Sequence, residues 1–361
     1  STITQVQALS IDFHFLIEQK AKSNSQLFMN FNGTAGIWRR ECIEDAGGWH
    51  TATLVEDLDL SYRAQMKGWK CVFLPNIVVD AELPAQMNGA KRQQFRWAKG
   101  SIQCAIKLLS DIGLKRNVAI EAKIQAFIQL TRHIVYPLVL IQFLTLPILL
   151  AAQVNLYVVS VLPALTIATY LAMGPGAYIV VIRGMYHESW KSKAKLLPAL
   201  LVYNAGMSVN NTVAVFDAIL GKKNEFHRTP KYGIVTKEDD WRDKAYNLPF
   251  TQTTLLEIFF GVYGVMGIFI SIFSNNPVFV PIIALQAIGF FFIAYMSLSH
   301  ARFKRNKSSD NRPKTKKENM ANNIYKLSMV GILGIIIFGG FMAISGYNSD
   351  IYPLDRIRGN L

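Results

Sequence analysis

Cysteine is scarce in this sequence, with 3 residues among 361. Cys42, Cys71 and Cys104 are widely spaced, and no C-x-x-C pair occurs. This excludes the paired spacing of structural zinc sites and dithiol redox motifs, and an odd number of thiols does not predict a disulfide framework. We therefore expect reduced thiols in the core of a cytoplasmic segment.

Acidic residues are also in the minority, because 24 Asp and Glu stand against 38 Lys and Arg and leave a formal net charge of +14. Most of the basic excess lies in loops beside apolar stretches, where cytoplasmic Lys and Arg are expected. The segment before the first long apolar stretch has no basic stripe with interleaved aromatic residues. The charge therefore does not predict nucleic-acid binding.

Long apolar runs are what the sequence has in abundance, and hydrophobic residues make up 51% of it. Residues 1–126 differ from the rest, because charges are frequent there. A helix that crosses a membrane needs about twenty mostly apolar residues. Five stretches meet that requirement, namely 127–150, 155–182, 253–274, 277–300 and 324–346.

A sixth stretch, 196–220, is interrupted by polar residues and has basic clusters at both ends. If it crossed the membrane, one cluster would lie outside, against the positive-inside tendency. We therefore expect an interfacial helix on the cytoplasmic surface, with a true sixth crossing as the alternative. The predicted multi-pass protein of the cell membrane has a cytoplasmic segment 1–126, two transmembrane helices in 127–182, a cytoplasmic interfacial helix and basic loop in 183–252, two transmembrane helices in 253–300, a basic cytoplasmic loop 301–323, a transmembrane helix 324–346 and a tail 347–361.

The segment 1–126 contains strand patterns. The run Phe28–Gly36 predicts a strand that ends in a loop of small residues, and Cys71–Leu74 and Ile77–Val79 predict short buried strands. Gly33 and Thr34 in that loop would let a ligand approach the backbone closely. Taken alone, the same loop is equally typical of an ordinary turn.

Two helix patterns carry polar groups. One helix is predicted to open in the run Leu54–Asp59 and to stop at Gly68. Its acids Glu56, Asp57 and Asp59 commonly do no more than cap the free N–H groups at a helix start. In the other, Gln93, Arg96 and Trp97 share one face with Gly100, because residues three and four apart are helix neighbours. That face offers an amide, a guanidinium, an indole and a gap, so it could hold a phosphate and stack a sugar ring.

In these motifs the chain resembles the membrane-bound family 2 glycosyltransferases, and most closely their cellulose synthase-like group, which includes glucan and mannan synthases. Several motifs in the right order are more specific than any one of them. The resemblance covers residues 1 to about 300. The matching runs are Ile11–Phe15 with Glu18–Gln19, Phe31–Thr34, Glu56–Asp57, Gln93-x-x-Arg96-Trp97, the membrane stretches and Glu225–Gly233.

The resemblance implies an α/β fold, namely the C-terminal half of a GT-A-type nucleotide-diphospho-sugar transferase domain, followed by an α-helical polytopic membrane region. It implies inverting transfer from a UDP- or GDP-sugar to a growing β-linked polysaccharide. The acid of the Glu56–Asp57 pair that acts as general base in the family maps onto Asp57. A carboxylate suits that role, and the helix start would keep it charged.

The remaining motif residues map onto substrate contacts in the family. Gln93 and Arg96 would stabilise the departing diphosphate, and Trp97 would offer its face to the acceptor sugar. In the same way, Gly33 and Thr34 would line the acceptor pocket, while Thr229 and Lys231 resemble a loop that closes over the nucleotide. An ordinary basic turn at the membrane surface is the alternative for that loop.

The family also holds a divalent metal, Mg²⁺ or Mn²⁺, on the diphosphate through a D-x-D motif in a nucleotide-binding half that this sequence does not contain. Asp57-Leu58-Asp59 imitates the motif but stands too close to Gln93, so we predict no metal site here. We expect the chain to come from a longer enzyme and to be inactive alone. The implied partners are a nucleotide sugar, a glycan or lipid-linked acceptor and the lipid bilayer.

Other functions stay open at this point. One is a single sugar transfer to a lipid carrier, which differs in product length. Another class is a non-catalytic membrane transporter or scaffold. A transporter predicts ionisable residues inside the membrane spans, and the five stretches have few beyond Arg132 and His133 near an edge.

Overall fold

The computed structural model describes residues 1–33, 35–154, 177–223, 228–233, 241 and 248–302. Regular structure in these ranges is helical throughout. Two helices, α4 and α5, carry most of the predicted site residues. The helices are α1 (Thr2–Phe13), a π-helical segment (His14–Gln19), α2 (Lys20–Asn24), α3 (Arg40–Asp45), α4 (Glu56–Met66), α5 (Met87–Leu114), α6 (Ile120–Thr131), α7 (Val135–Ala151), α8 (Ala177–Tyr186), α9 (Trp190–Ala194), α10 (Leu197–Ile219), α11 (Thr253–Phe273) and α12 (Val280–Arg302).

The predicted strands do not form in the part of the chain that the structure describes, so the α/β class is not confirmed. Around Met29 the backbone has no regular structure, and its hydrogen bonds go to side chains of α4. Gln65 Oε1 accepts from the Met29 N–H at 2.9 Å, and Ser61 Oγ accepts from the Phe31 N–H at 2.8 Å. The strand prediction fails here because side chains take the place of a neighbouring strand.

The prediction of short buried strands at Cys71–Leu74 and Ile77–Val79 was wrong. Neither segment has regular secondary structure, and Val72 is 74% exposed and Val78 is 81% exposed. A strand needs a neighbour that pairs with its N–H and C=O groups, and neither segment has one within the described ranges. β-branched residues favour an extended backbone, but they do not supply the neighbouring strand that pairing requires.

Local chemistry sets the limits of α4 and α5. The acids Glu56, Asp57 and Asp59 lie in the first turn of α4, where the helix dipole favours negative charge. The helix ends at Met66, shortly before Gly68, whose φ of +96° suits glycine. The longer α5 begins at Met87, directly after Gln86, whose backbone is extended with φ −93° and ψ 134°.

Three helical stretches are long and apolar enough to cross a membrane, so the chain is a candidate membrane protein. They are Ile120–Ala151, Thr253–Phe273 and Pro277–Ala301. These lie at the predicted stretches 127–150, 253–274 and 277–300. Most of 155–182 and all of 324–346 fall outside the described residues, as do the loop 301–323 beyond Arg302 and the tail.

Small residues let α11 and α12 approach closely. Gly261, Gly264 and Gly267 follow one another every three residues along α11. A Cβ atom added to Gly264 would lie 2.7 Å from the Cβ of Ala287 on α12. Such stripes of small residues allow membrane helices to pack through their backbones.

The predicted helix at 196–220 forms as α10 and packs against α5, α7 and α12. It crosses α12 where two glycines meet, since a Cβ on Gly206 would lie 2.2 Å from the carbonyl oxygen of Gly289. α10 does not meet the apolarity needed of a membrane span. That it lies on the cytoplasmic surface stays a prediction.

Candidate active site

The candidate site lies where the beginning of α4 meets α5. Val55, the residue before α4, packs against Gly100 on α5. A Cβ on Gly100 would lie 2.5 Å from the Cγ2 atom of Val55. Val55 therefore fills the gap predicted at Gly100, and this contact holds the start of α4 in place. The gap is not open to a ligand.

Asp57 accepts two backbone hydrogen bonds at this junction. Its Oδ2 atom accepts from the Gly33 N–H at 3.1 Å, and its Oδ1 atom accepts from the Leu58 N–H at 2.8 Å. Gly33 has a φ of +60°, which favours glycine and turns its N–H toward the carboxylate. The structure thus brings together two predicted site residues, Gly33 and Asp57, from separate parts of the sequence.

Burial and charge set the pKa of Asp57. Burial is the largest influence and raises the pKa above its usual value, and the neighbouring Glu56 acts in the same direction. The Leu58 N–H, the charge of Arg96 and the Gly33 N–H oppose this rise without cancelling it. Burial therefore outweighs the groups that favour the ionised form. That the helix start keeps Asp57 charged stays a prediction.

Arg96 on α5 is close enough for its charge to act on Asp57, and it is half-buried. Gln93, one turn earlier, is also half-buried. Trp97 packs against the cluster that contains Phe28 and Tyr62, so part of its ring belongs to the core. The predicted helical face therefore forms. Thr34 lies outside the described residues.

Asp59 faces away from this junction and is held by cations. It is fully buried, and its carboxylate lies 2.6 Å from Lys107 Nζ and 2.8 Å from Arg63 Nη2. Arg63 also donates to the carbonyl of Gly48 at 2.7 Å. Asp57 and Asp59 therefore do not converge on one point. No group of three or more metal-binding side chains occurs among the described residues.

The π-helical segment supports the loop that carries Gly33, a feature that the sequence patterns did not reveal. Gln19 Nε2 donates to the carbonyl of Asn30 at 2.8 Å. His14 lies 2.8 Å from Glu18 through Nδ1 and 3.4 Å from Asn32 Oδ1 through Nε2. The resemblance of these residues to the family was the one signal that pointed to them.

Glu18 joins this support to several cations. Its Oε2 atom lies 3.6 Å from Lys22 Nζ and 3.7 Å from Arg132 Nη1. Burial on its own would raise the pKa of Glu18. The hydrogen bond with His14 and the charges of Arg132, His14 and Lys22 outweigh burial and lower the pKa to about 2.

The loop that carries Thr229 and Lys231 docks on the segment before α5. Glu82 receives the Tyr232 N–H at 2.8 Å and the Gly233 N–H at 3.0 Å. Lys231 Nζ donates to the carbonyl of Glu82 at 2.5 Å, and Thr229 is buried. Lys231 therefore contacts the N-terminal approach to α5, and the loop is held by Glu82, which the sequence patterns did not single out.

Comparison with known proteins shows the family of this chain. Residues 2–181 match the model of "Glycosyl transferase family group 2". The chain is 29% identical over 301 residues to glucomannan 4-beta-mannosyltransferase 9 of Arabidopsis thaliana, covering 81% of this chain and 54% of that protein. It is 30% identical over 303 residues to the probable glucomannan 4-beta-mannosyltransferase 10 of the same plant, covering 80% and 51% respectively.

A rice relative extends the comparison. Glucomannan 4-beta-mannosyltransferase 1 of Oryza sativa subsp. japonica is 32% identical over 240 residues, which cover 65% of this chain and 44% of the relative. The chain spans about half the length of the curated relatives it matches. The matched family region includes both the Asp57 junction and the α5 face. From this match and these relatives, together with the geometry of the junction, the chain belongs to the family 2 glycosyltransferases.

Proposed function

We propose that this chain takes part in inverting glycosyl transfer from a nucleotide-activated sugar, a UDP- or GDP-sugar, to a growing β-linked polysaccharide. The observation that carries this proposal is the convergence of the Gly33 N–H, the Asp57 carboxylate and the Arg96 charge where α4 meets α5. A carboxylate beside a cationic side chain provides a base and a stabiliser of a leaving anion within one junction.

Asp57 would act as the general base. It takes the proton of the acceptor hydroxyl while that oxygen forms a bond to the anomeric carbon and the bond from this carbon to the diphosphate breaks. A pKa raised by burial strengthens this role, because a carboxylate with a higher pKa holds the proton more firmly. A single displacement inverts the anomeric configuration and needs one base, unlike the two carboxylates of a glycosidase.

Arg96 and Gln93 would stabilise the charge that develops on the departing diphosphate. A guanidinium suits this task because it stays ionised and forms two parallel hydrogen bonds to oxyanions. Trp97 would present the free part of its ring to the acceptor sugar, beside the small residues Gly33 and Thr34. Thr229 and Lys231 would belong to the loop over the nucleotide, with Glu82 as its anchor.

A divalent metal, which family 2 enzymes generally use, does not fit the described residues. Asp59 is the second acid of the D-x-D-like run, and its carboxylate is occupied by Arg63 and Lys107. Asp57 is the other acid of that run, and its two carboxylate oxygens accept the Gly33 N–H and the Leu58 N–H. We therefore assign no step of the transfer to a metal held by these residues.

The relatives are named as glucomannan 4-beta-mannosyltransferases, which favours a mannosyl residue as the transferred sugar and a β-1,4 linkage in the product. We further propose that 1–126 lies on the cytoplasmic side, with α10 as an interfacial helix between it and the membrane helices. The basic loop 183–252 would then lie on the same side. The growing chain would begin close to the bilayer.

The substitution Asp57→Asn in the native membrane-bound protein tests this proposal. We expect incorporation of labelled sugar to fall about 10²–10⁴-fold, because the base is lost. Asp45→Asn is a matched control, since Asp45 is an exposed carboxylate that pairs with Lys67. Transfer near the wild-type rate in Asp57→Asn would overturn the proposal. Chromatography of the wild-type product separates a polymer from a single transfer to a lipid carrier.

A further inference from the structure

A basic and aromatic surface lies on α8 and α9, beyond the candidate active site. We call it the basic patch, and its members are Arg183, Tyr186, Trp190, Lys191, Lys193 and Lys195. Its aromatic residues share one hydrophobic cluster with Phe292 and Met296 of α12. These two residues lie in the last three turns of the candidate span that ends at Ala301. The patch therefore lies beside the last turns of that span.

The cations of the basic patch have few acids near them. Arg183, Lys191 and Lys195 are exposed, and none of the patch's cations forms an ion pair with an Asp or Glu of the described residues. Glu188 is the one carboxylate in the stretch 183–195, and Asp12 is engaged by the hydroxyl of Tyr186, which donates a hydrogen bond to its Oδ2 atom. The patch therefore presents a surplus of positive charge beside an apolar helix end.

Aromatic rings hold two of these cations in place. Arg183 Cζ lies 5.3 Å from the centroid of the Trp190 ring, and Lys193 Nζ lies 4.8 Å from the centroid of the Tyr186 ring. Such contacts already restrict the two side chains in the free protein, so they lose less conformational entropy when a ligand binds. Trp and Tyr are also the residues that accumulate where the bilayer meets water.

Exposed apolar residues adjoin the cations. Val180, which precedes Arg183 by less than one helical turn on α8, is 71% exposed. A surface that combines free cations, interfacial aromatic rings and exposed aliphatic side chains matches a molecule with an anionic head and an apolar tail. A soluble anion would gain nothing from the apolar part.

We propose that the basic patch binds the headgroups of anionic phospholipids, with Arg183, Lys191, Lys193 and Lys195 on the phosphate side and Val180 against the acyl chain. A Lys or Arg near an anionic membrane surface strengthens binding by roughly fivefold. This inference does not depend on sugar transfer, so the two proposals succeed or fail separately.

The test is the affinity of the full chain for phosphatidylglycerol and phosphatidylcholine in neutral detergent, measured by native mass spectrometry. We expect the wild-type protein to prefer phosphatidylglycerol by at least about fivefold. The triple variant K191Q/K193Q/K195Q should lose that preference. The variant K191R/K193R/K195R should keep it, because its charge is unchanged.

The matched control is K20Q/K67Q/K70Q, which removes the same charge from exposed positions elsewhere. It should keep the preference for phosphatidylglycerol. Circular dichroism of all variants verifies that they fold. Equal affinities in the wild type, a preference that survives in K191Q/K193Q/K195Q, or an equal loss in the control would each overturn the proposal. Displacement of phosphatidylglycerol by millimolar inorganic phosphate would also overturn it, since the site would then recognise free phosphate.

Discussion

Asp57 and Asp59 stand two residues apart on α4, and their surroundings differ in kind. Asp57 accepts bonds from two neutral backbone N–H groups, and the charge of Arg96 acts on it as well. Asp59 is fully buried against Lys107 and Arg63, which tie α4 to α5 and to the loop before α4. Two ion pairs make Asp59 part of the support of the fold, whereas burial outweighs the charge of Arg96 at Asp57 and raises its affinity for a proton.

The largest effect on stability is expected for Asp59→Asn. It leaves Arg63 and Lys107 without their buried counter-ion, and breaking a buried pair in this way costs about 3 kcal/mol of the free energy of unfolding. Denaturant unfolding followed by tryptophan fluorescence measures this. Asp57→Asn should unfold within about 1 kcal/mol of the wild type. Equal losses of unfolding free energy in the two variants would show that Asp59 does not stabilise the fold more than Asp57 does.

Glu18→Gln tests whether charges stabilise the π-helical segment that supports the loop carrying Gly33. Since the pKa of Glu18 is lowered to about 2, its ionised form stabilises the fold above the ordinary glutamate pKa, and this contribution disappears as the pH falls through about 2. We expect a loss of about 2 kcal/mol at neutral pH. Thermal unfolding across a pH series should show the wild type and the variant converging in acid. A difference that is independent of pH would contradict this.

Gly100→Ala tests the packing between α5 and Val55, the residue before α4. The new methyl group would lie 2.5 Å from Val55 Cγ2, and such overpacking costs about 1–2 kcal/mol. Gly113→Ala, in the same helix with nothing within 4 Å of the new methyl group, should instead stabilise by up to about 1 kcal/mol. The double variant Val55→Ala with Gly100→Ala should recover part of the loss. Equal effects at the two glycines would show that Val55 does not press on α5.

The smallest expected effect is a shift of the pH profile in Arg96→Gln. The charge of Arg96 lowers the pKa of Asp57, so its removal raises that pKa further. The residual activity should then decline at a higher pH as the solution is made more acidic, because the base must be ionised. The pH dependence of labelled-sugar incorporation measures the shift. An unchanged acidic limb would mean that Asp57 is not the titrating base.

Helix faces were the part of this molecule that sequence reasoning could predict. The start of α4 at Glu56, the shared face of Gln93 and Arg96 on α5, and the helix at 196–220 all follow from the spacing of side chains and from acids at a helix start. These are local properties of the chain. In the structure, each of these helices lies where the sequence pattern predicts it.

Contacts between distant segments could not be predicted in this way. The strand pattern at Ile77–Val79 describes a preference of the backbone, and pairing depends on a neighbour that no local pattern reveals. Val55 fills the gap at Gly100, and Glu82 holds a loop that follows it by about 150 residues. The π-helical turn at His14–Gln19 likewise depends on its partners in the loop it supports.

The contact between Gly206 and Gly289 sets the spacing of two helices. α5 packs against α10, and α10 meets α12 at these two glycines, where a Cβ on Gly206 would lie 2.2 Å from the Gly289 carbonyl oxygen. Any side chain at either position would push α10 away from α12 and shift the helix on which α5 packs. The distance between α5 and the candidate membrane span α12 therefore depends on two residues that have no side chain.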